Sequence, residues 1–260
     1  MISKGHPVRG TAPIMDKYAN QDRQNSNHIG HAFPTSILRT IETYLPEKIS
    51  VSAETGCGKS TILFSNYSEK HHVFALDDRS SGIDSSVLFY ENHKLTKNKR
   101  IVSTLGPSQI TLPKFQFTDG LDLVLIDGGH AYPFPDMEYY FFYPHLRPGA
   151  LLIIDDVGIP TIARMTDVLA EDDMFELVTI VSTTAIFKRT DAPTFDPYGD
   201  GWWTQRFNRR RVASNHPAHL ADISAPVDAV SSVIFERSIP PVQSGPQNPS
   251  WASRLGFKRK

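Results

Sequence analysis

The sequence predicts an α/β fold, in which a doubly wound and mostly parallel sheet of seven strands ends in an antiparallel hairpin. Three observations predict it. Apolar stretches of strand length alternate with helical patterns through the middle of the chain. Two stretches, LDLVLID and ALLIIDD, contain apolar runs that end on acids, as expected of strands buried on both faces of a sheet. Residues 174–190, MFELVTIVSTTAIFKRT, form two strand patterns with little between them.

The elements follow in order along the chain. Ile37, Ile41 and Leu45 recur at helical spacing, so residues 34–46 are expected to form a short amphipathic helix. Strands are expected at 49–53, 72–77, 100–105, 121–127 and 150–155, with helical segments at 59–69, 86–97, 134–146 and 159–171. Alternation of this kind implies right-handed crossovers and a parallel, Rossmann-like sheet. The predicted domain spans residues 35–190.

The two flanks lack this pattern. Residues 1–34 are polar, rich in His, Asn and Gln, and are interpreted as an N-terminal arm. Residues 191–260 are interpreted as an extended, partly basic C-terminal tail, with nine basic against five acidic residues from position 195 on. A short strand is expected within the tail at residues 230–237.

Composition narrows the function classes. The formal net charge of −1 gives no reason to expect nucleic acid or an acidic membrane as a partner. Cys57 is the single cysteine, so an intrachain disulfide is excluded. No apolar stretch approaches the roughly 18 residues of a membrane helix, and the N-terminus has no apolar signal-peptide core. A cytoplasmic location without a membrane partner is expected, while homo-oligomerisation is left open.

Two predicted strands end on carboxylates 28 residues apart. Asp127 closes the first, and Asp155 and Asp156 close the second. In open parallel sheets, ligands bind outside the carboxyl ends of the strands. Three carboxylates that converge at this edge can hold a hard divalent cation such as Mg²⁺.

The glycine loop after the first strand fits two patterns. AETGCGKS satisfies the relaxed P-loop pattern with Lys59 and Ser60, and LLIIDD would then be the magnesium-binding strand of a P-loop NTPase. The same residues also fit an E-x-G-x-G loop, with Glu54, Gly56 and Gly58, in which glycines let the backbone approach a ligand closely. The loop alone does not decide between them.

The second strand favours the E-x-G-x-G pattern. HHVFALDD, residues 71–78, places Asp77 at the end of its apolar run, about one βαβ half-unit after the glycine loop. A carboxylate at about this distance suits hydrogen bonding to ribose hydroxyls, which a P-loop enzyme does not generally need. The closing hairpin favours the same conclusion. The P-loop NTPase and a non-catalytic binding module of the same fold are kept as alternatives.

With these motifs, residues 35–190 resemble the class I methyltransferases that use S-adenosylmethionine (SAM). Within that class the chain is most similar to the metal-dependent O-methyltransferases of the catechol and macrocin types. The resemblance implies that Glu54, Gly56 and Gly58 surround the methionine part of SAM and that Asp77 holds its ribose. It also implies that the loop STLGPSQITLP places Ser108 and Gln109 beside the adenine.

The resemblance further implies a metal site and a reaction. Asp127, Asp155 and Asp156 are the expected ligands of Mg²⁺ or another divalent cation, and Asp127 is also expected to contact the cofactor. Catechol-type enzymes carry Asp-Asn where this chain has Asp155-Asp156, and Lys where it has His130. His130 is therefore the expected base, since its unperturbed pKa of about 6.5 suits proton uptake at neutral pH. The expected reaction is O-methylation of a small hydroxylated acceptor, such as a sugar, a phenol or a natural-product intermediate.

Overall fold

A computed structural model describes residues 13–22 and 33–215 of the chain, and its central feature is one seven-stranded sheet. The strand order is β3-β2-β1-β4-β5-β7-β6. The strands are β1 (Ile49–Thr55), β2 (Ser68–Ala75), β3 (Ile101–Leu105), β4 (Leu121–Ile126), β5 (Leu146–Ile154), β6 (Phe175–Val181) and β7 (Thr184–Arg189). Pairing is parallel from β3 to β5, whereas β7 is antiparallel to both β5 and β6. The predicted fold class is confirmed.

Helices cover both faces of this sheet. They are α1 (Ile14–Asp22), α2 (Thr35–Tyr44), α3 (Lys59–Tyr67), α4 (Ser86–Asn92), α5 (Ser108–Thr111), α6 (Phe134–Phe142), α7 (Pro160–Glu171) and α8 (Arg206–Asn215). Apolar side chains of α6 and α7 pack on one face, and those of α1 to α4 pack on the other. Because strand residues alternate between the faces, consecutive residues of β1 enter different cores. This alternation determines which face of the sheet each polar side chain of β1 lies on.

The strand boundaries differ from expectation mainly at β2 and β5. β2 was expected at 72–77, but it begins at Ser68, directly after α3, and ends at Ala75. Its last residues pair with the end of β1, and beyond Ala75 the chain turns towards α4. Asp77 therefore lies in a loop and not at the strand terminus. β5 begins at Leu146, because a short helical turn at residues 143–145 replaces the expected end of α6.

A helix lies inside the segment interpreted as an N-terminal arm. α1 buries Met15 and Tyr18, and both belong to the core that α2 and α3 also line. The carboxylate of Glu42 on α2 accepts the backbone N–H groups of Ile14 at 2.6 Å and Met15 at 3.1 Å. These bonds satisfy donors at the start of α1 that have no partner within the helix. The segment 13–22 is therefore part of the folded domain.

The segment interpreted as a tail begins with loops and then forms α8. Among the described residues, those up to Arg210 belong to one compact unit. The strand expected at residues 230–237 lies outside the described residues. Among the helices that the structure describes, none is both long and apolar enough to cross a bilayer.

Candidate active site

A cavity of about 710 Å³ opens at the carboxyl ends of β1, β2, β3 and β4. Its lining comes from the loops that follow these strands and includes Gly56, Asp78, Gly106, Ser108, Asp127 and His130. This is the edge at which open parallel sheets bind ligands. The volume falls within the range of about 300–1,000 Å³ that is typical of small-molecule sites.

The glycine loop after β1 is held against the loop after β4. Gly56 has φ = +77°, and a Cβ atom at this position would lie 2.2 Å from the carbonyl oxygen of Asp127. Only glycine combines this backbone conformation with so close an approach. The sequence predicted that Gly56 lets the backbone approach a ligand closely. In the structure, Gly56 lets the backbone approach the carbonyl group of Asp127.

Two amides of the same loop already have partners inside the protein. The N–H of Gly56 donates to the carbonyl oxygen of Phe74 at 2.9 Å, and the N–H of Gly58 donates to Thr61 Oγ1 at 2.9 Å. A P-loop needs its backbone N–H groups directed at phosphate. The ammonium group of Lys59 lies 5.8 Å from the ring centroid of Tyr18 on α1. The geometry of the loop gives no support to the P-loop alternative.

The structure does not bring Glu54 to the cavity. Its side chain is fully buried on the opposite face of β1 from Thr55, where it enters the core lined by α3. Oε1 of Glu54 lies 3.1 Å from Nε2 of His71 and accepts a short hydrogen bond from Thr61 Oγ1. The alternation of β1 explains this placement. Glu54 supports the glycine loop from below, whereas the sequence predicted direct contact with the cofactor.

Two adjacent acids after β2 differ in position. Asp77, the predicted ribose ligand, lies outside the cavity lining with a half-exposed side chain whose carboxylate contacts Arg79 Nη1 at 3.0 Å. Asp78 lines the cavity, and its carboxylate accepts from Ser85 Oγ at 2.6 Å and from the N–H of Ser86 at 2.7 Å. These bonds lower the pKa of Asp78, although its partial burial opposes them. Sequence reasoning overlooked Asp78, which the DD pair in HHVFALDD signals.

The loop after β3 is placed as the sequence predicted. Ser108 and Gln109 both line the cavity, at the start of α5. Gly106 precedes them with φ = +143°, and its N–H donates to the carbonyl oxygen of Ala75 at 2.8 Å. This bond ties the loop to the end of β2. The two predicted adenine contacts therefore face the same cavity as Gly56 and Gly58.

A buried acid that the sequence analysis did not single out lies under the loop after β4. Glu138 on α6 is fully buried, and its Oε2 accepts from Thr55 Oγ1 at 2.7 Å. A Cβ atom at Gly128 would lie 2.5 Å from Oε1 of Glu138, so a larger residue there would displace this carboxylate. Burial raises the pKa of Glu138. Its sequence context, MEYYFFY, is an aromatic stretch that gives no local signal of a buried acid.

Three side chains at the ends of β4 and β5 form a metal-binding candidate, the one group of three His, Cys, Asp or Glu side chains this close together among the described residues. Asp127, His130 and Asp156 each offer a ligand atom, and these atoms lie within 4.8 Å of one another. Nε2 of His130 is 3.0 Å from Oδ2 of Asp156 and 3.8 Å from Oδ1 of Asp127. Asp156 adopts φ = +56°, in the left-handed region that Asp tolerates better than most residues.

The third predicted ligand, Asp155, is directed elsewhere. Its Oδ1 accepts a 2.5 Å hydrogen bond from Thr184 Oγ1 and lies 3.5 Å from Thr183 Oγ1. The cause is the antiparallel pairing of β5 with β7, which aligns Ile154 with Ala185 and brings Thr184 beside Asp155. The arrangement therefore differs from the predicted set of three aspartates, because His130 takes the place of Asp155.

Electrostatics at this cluster favour a positive charge. Burial raises the pKa of Asp127 to about 7, and the neighbouring carboxylates of Asp155 and Glu54 act in the same direction. The nearby carboxylates of Asp127 and Asp156 raise the pKa of His130. Burial also raises the pKa of Asp155. Carboxylates that are this costly to ionise gain most from a proton or a cation held among them.

Cys57 lines the cavity between the two glycines, and its thiol is expected to react slowly. Burial, aided by Glu54 and Asp78, raises the pKa of the Cys57 thiol. Because the thiolate is the reactive form, alkylation by iodoacetamide at pH 8 is expected to be at least about tenfold slower than in urea-unfolded protein. Intact-mass spectrometry of the folded and unfolded protein measures both rates. Equal rates would contradict the buried placement.

Comparison with known proteins agrees with this geometry. Residues 53–157 match a family model described as a methyltransferase domain. A candidate O-methyltransferase from Klebsiella pneumoniae superposes with a TM-score of 0.51 at 14% identity, over 71% of this chain and 93% of that one. The O-methyltransferase TomG from Streptomyces achromogenes, which is involved in tomaymycin synthesis and was solved in complex with SAM, gives a TM-score of 0.51 at 15% identity, over 69% and 91%. No curated protein sequence matches the chain. The family match spans the glycine loop and the acids that close β4 and β5.

Proposed function

We propose that this chain, which carries a class I methyltransferase domain, transfers the methyl group of SAM to an oxygen atom of a small hydroxylated molecule. One observation carries the proposal. The segment that matches the methyltransferase family supplies the loops after β1 to β4, and these loops line a single cavity of suitable size. The O-methyltransferases with the same fold support oxygen as the acceptor atom.

The cofactor would lie along the ends of β1, β2 and β3. Gly56 and Gly58 leave room beside the glycine loop for the methionine part, and Ser108 and Gln109 offer polar groups to the adenine. We assign the ribose to the acids after β2. Asp78 already lines the cavity, whereas Asp77 contacts Arg79 outside it. Matched variants Asp77→Asn and Asp78→Asn distinguish which acid binds the ribose, with affinity for S-adenosylhomocysteine (SAH) as the measurement.

The acid cluster fits a divalent cation. Two carboxylates and one imidazole within 4.8 Å of one another are ligands that Mn²⁺, Fe²⁺ and Mg²⁺ all accept. Burial disfavours the ionised carboxylate of Asp127, and a bound cation would stabilise it. Asp127 and Asp156 would hold the ion in the described geometry. A bound cation would supply the charge that lowers the pKa of an acceptor hydroxyl.

The reaction is an in-line displacement at carbon. A lone pair of the acceptor oxygen forms a bond to the methyl carbon, the carbon–sulfur bond breaks, and its electron pair stays on sulfur to give SAH. The hydroxyl proton is assigned to the imidazole of His130, whose half-exposed ring faces the cavity. The protein aligns oxygen, carbon and sulfur, and alignment alone can lower the barrier by about 7–11 kcal/mol.

His130 makes this mechanism testable, because a nitrogen that ligates a cation cannot also accept a proton. As the base, His130→Gln is expected to lower kcat about 100-fold or more while leaving Mn²⁺ affinity within about threefold. Calorimetry with Mn²⁺ measures the affinity, and methyl transfer from labelled SAM measures kcat. A parallel loss of Mn²⁺ affinity would contradict the role of base and reassign His130 as a metal ligand. Asp136→Asn, on the neighbouring turn, is the matched control.

The direct test of the proposed function follows the methyl group. The protein is incubated with [¹³C-methyl]SAM, Mg²⁺ or Mn²⁺, and a panel of phenols, catechols and sugars. Transfer to an oxygen, identified by NMR of the labelled product, is the expected result. Transfer to nitrogen or carbon would contradict the O-methyltransferase assignment while leaving the methyltransferase domain itself intact.

A further inference from the structure

Two buried threonine–carboxylate pairs lie beneath the cavity, one under each of its central loops. Glu54 and Thr55 are consecutive residues of β1, and they point into opposite cores of the domain. Glu54 meets Thr61 of α3, and Thr55 meets Glu138 of α6. Both carboxylates are fully buried, and both threonine side chains are almost completely so. The two pairs therefore brace the end of β1 from both sides.

Each threonine also accepts the backbone N–H group of a cavity residue. Thr61 Oγ1 accepts from Gly58 at 2.9 Å while it donates to Glu54. Thr55 Oγ1 accepts from Asp127 at 3.2 Å while it donates to Glu138. The two chains run in the same direction, from a loop N–H to a threonine hydroxyl and then to a carboxylate. One ends at the glycine loop and the other at the loop that bears Asp127.

The carboxylate gives each chain its direction. A hydroxyl that donates its proton to a carboxylate has only its lone pairs left, so it can then bind an N–H group but not a carbonyl group. Hydrogen bonds to carboxylates are also stronger than neutral ones. The ring of His71 extends the first chain, with Nε2 beside Glu54 and Nδ1 at 2.7 Å from Ser52 Oγ. The loop amides are thereby fixed in one orientation.

We propose that Glu54 and Glu138 are positioning residues that hold the two cofactor loops from below through the hydroxyls of Thr61 and Thr55. Glu54 does not line the cavity, whereas Glu138 lies in its wall with a side chain that is fully buried. Each carboxylate is therefore argued to act through the threonine hydroxyl whose hydrogen bond it accepts. This inference rests on the proposed function for its ligand, since the loops it describes are those assigned to SAM. It also explains why the glycine-loop motif contains an acid, Glu54, that does not contact the cofactor.

The test removes each hydroxyl without changing the shape of the side chain. Thr61→Val and Thr55→Val are each expected to weaken SAH binding about tenfold or more, because a loop amide loses its partner. Thr61→Ser and Thr55→Ser keep the hydroxyl and are expected to stay within about threefold of the wild type. Ser65→Ala is the matched control. Ser65 is a buried hydroxyl on the same helix as Thr61, and it binds the carbonyl oxygen of Ile62 at 3.0 Å away from the cavity.

A second measurement separates positioning from general stability. Amide hydrogen exchange by NMR is expected to accelerate at Gly58 in Thr61→Val and at Asp127 in Thr55→Val, and to remain unchanged at both amides in Ser65→Ala. Valine variants that bind SAH like the wild type, or an alanine control that weakens binding equally, would overturn the inference. If the wild type binds no SAH, the proposed function fails. The exchange rates still test whether the threonine hydroxyls hold the loop amides of Gly58 and Asp127.

Discussion

Replacing Asp127 with Asn is expected to stabilise the ligand-free protein at pH 8 while abolishing its response to divalent cations. Burial raises the pKa of Asp127 from 3.8 to about 7, so its ionised form is costly in the folded state. An acid whose folded pKa is raised lowers stability as the pH rises from its unfolded to its folded pKa. The variant is therefore expected to gain about 2–4 kcal/mol at pH 8.

The sign of this effect can be checked against pH. At pH 4.5 the folded carboxyl is neutral and the pH is less than one unit above the ordinary pKa of 3.8, so the gain of Asp127→Asn over the wild type is expected to fall to about 1 kcal/mol. Urea denaturation at pH 8 and at pH 4.5 measures both values. Thermal scans with and without Mn²⁺ measure the response to cations, which the wild type should show and the variant should lose. A destabilised variant at pH 8, or an equal gain at both pH values, would contradict the electrostatic description of the site.

The second large effect is expected at Gly56. Alanine at this position must adopt φ = +77°, and its Cβ atom would lie 2.2 Å from the carbonyl oxygen of Asp127. The backbone conformation alone costs about 1–2 kcal/mol, and relief of the clash must separate the loops after β1 and β4. Gly56→Ala is therefore expected to weaken SAH binding at least about 100-fold and to lower the melting temperature.

Gly82→Ala separates the two causes. Gly82 has φ = +60°, similar to that of Gly56, but a Cβ atom there has open space around it. This control carries the backbone cost without the clash, so it is expected to lose some stability and to keep its affinity for SAH. If both variants lose affinity equally, the contact between the two loops is not what shapes the site.

The sheet could be predicted because its strands carry their own signals. The apolar runs that end at Asp127 and Asp155 are buried on both faces, and the hairpin of β6 and β7 has almost no residues between its strands. Helix α1 was overlooked, because its apolar stripe around Met15 is short and its first N–H groups depend on Glu42, a distant residue, for their hydrogen bonds. Local patterns therefore predicted the succession of strands and helices along the chain but not the ends of the elements.

The site was predicted less completely, because its details depend on partners that are distant in sequence. Asp155 turns away from the cluster only because β7 places Thr184 beside it. Glu54 is directed to His71 by the alternation of β1 and its register with β2. Glu138 has no local signal at all, since its role depends on Thr55, which lies 83 residues earlier in the chain. Motifs identified the loops, whereas tertiary contacts decided which side chains face the cavity.

Calorimetric titration of the purified protein with SAH, and in parallel with ATP and Mg²⁺, tests the central claim most directly. The account predicts micromolar SAH binding that Gly56→Ala abolishes and Gly82→Ala preserves, with no heat from ATP. Tight binding of Mg-ATP without binding of SAH would contradict it, and would assign the glycine loop to phosphate through Lys59 and Ser60.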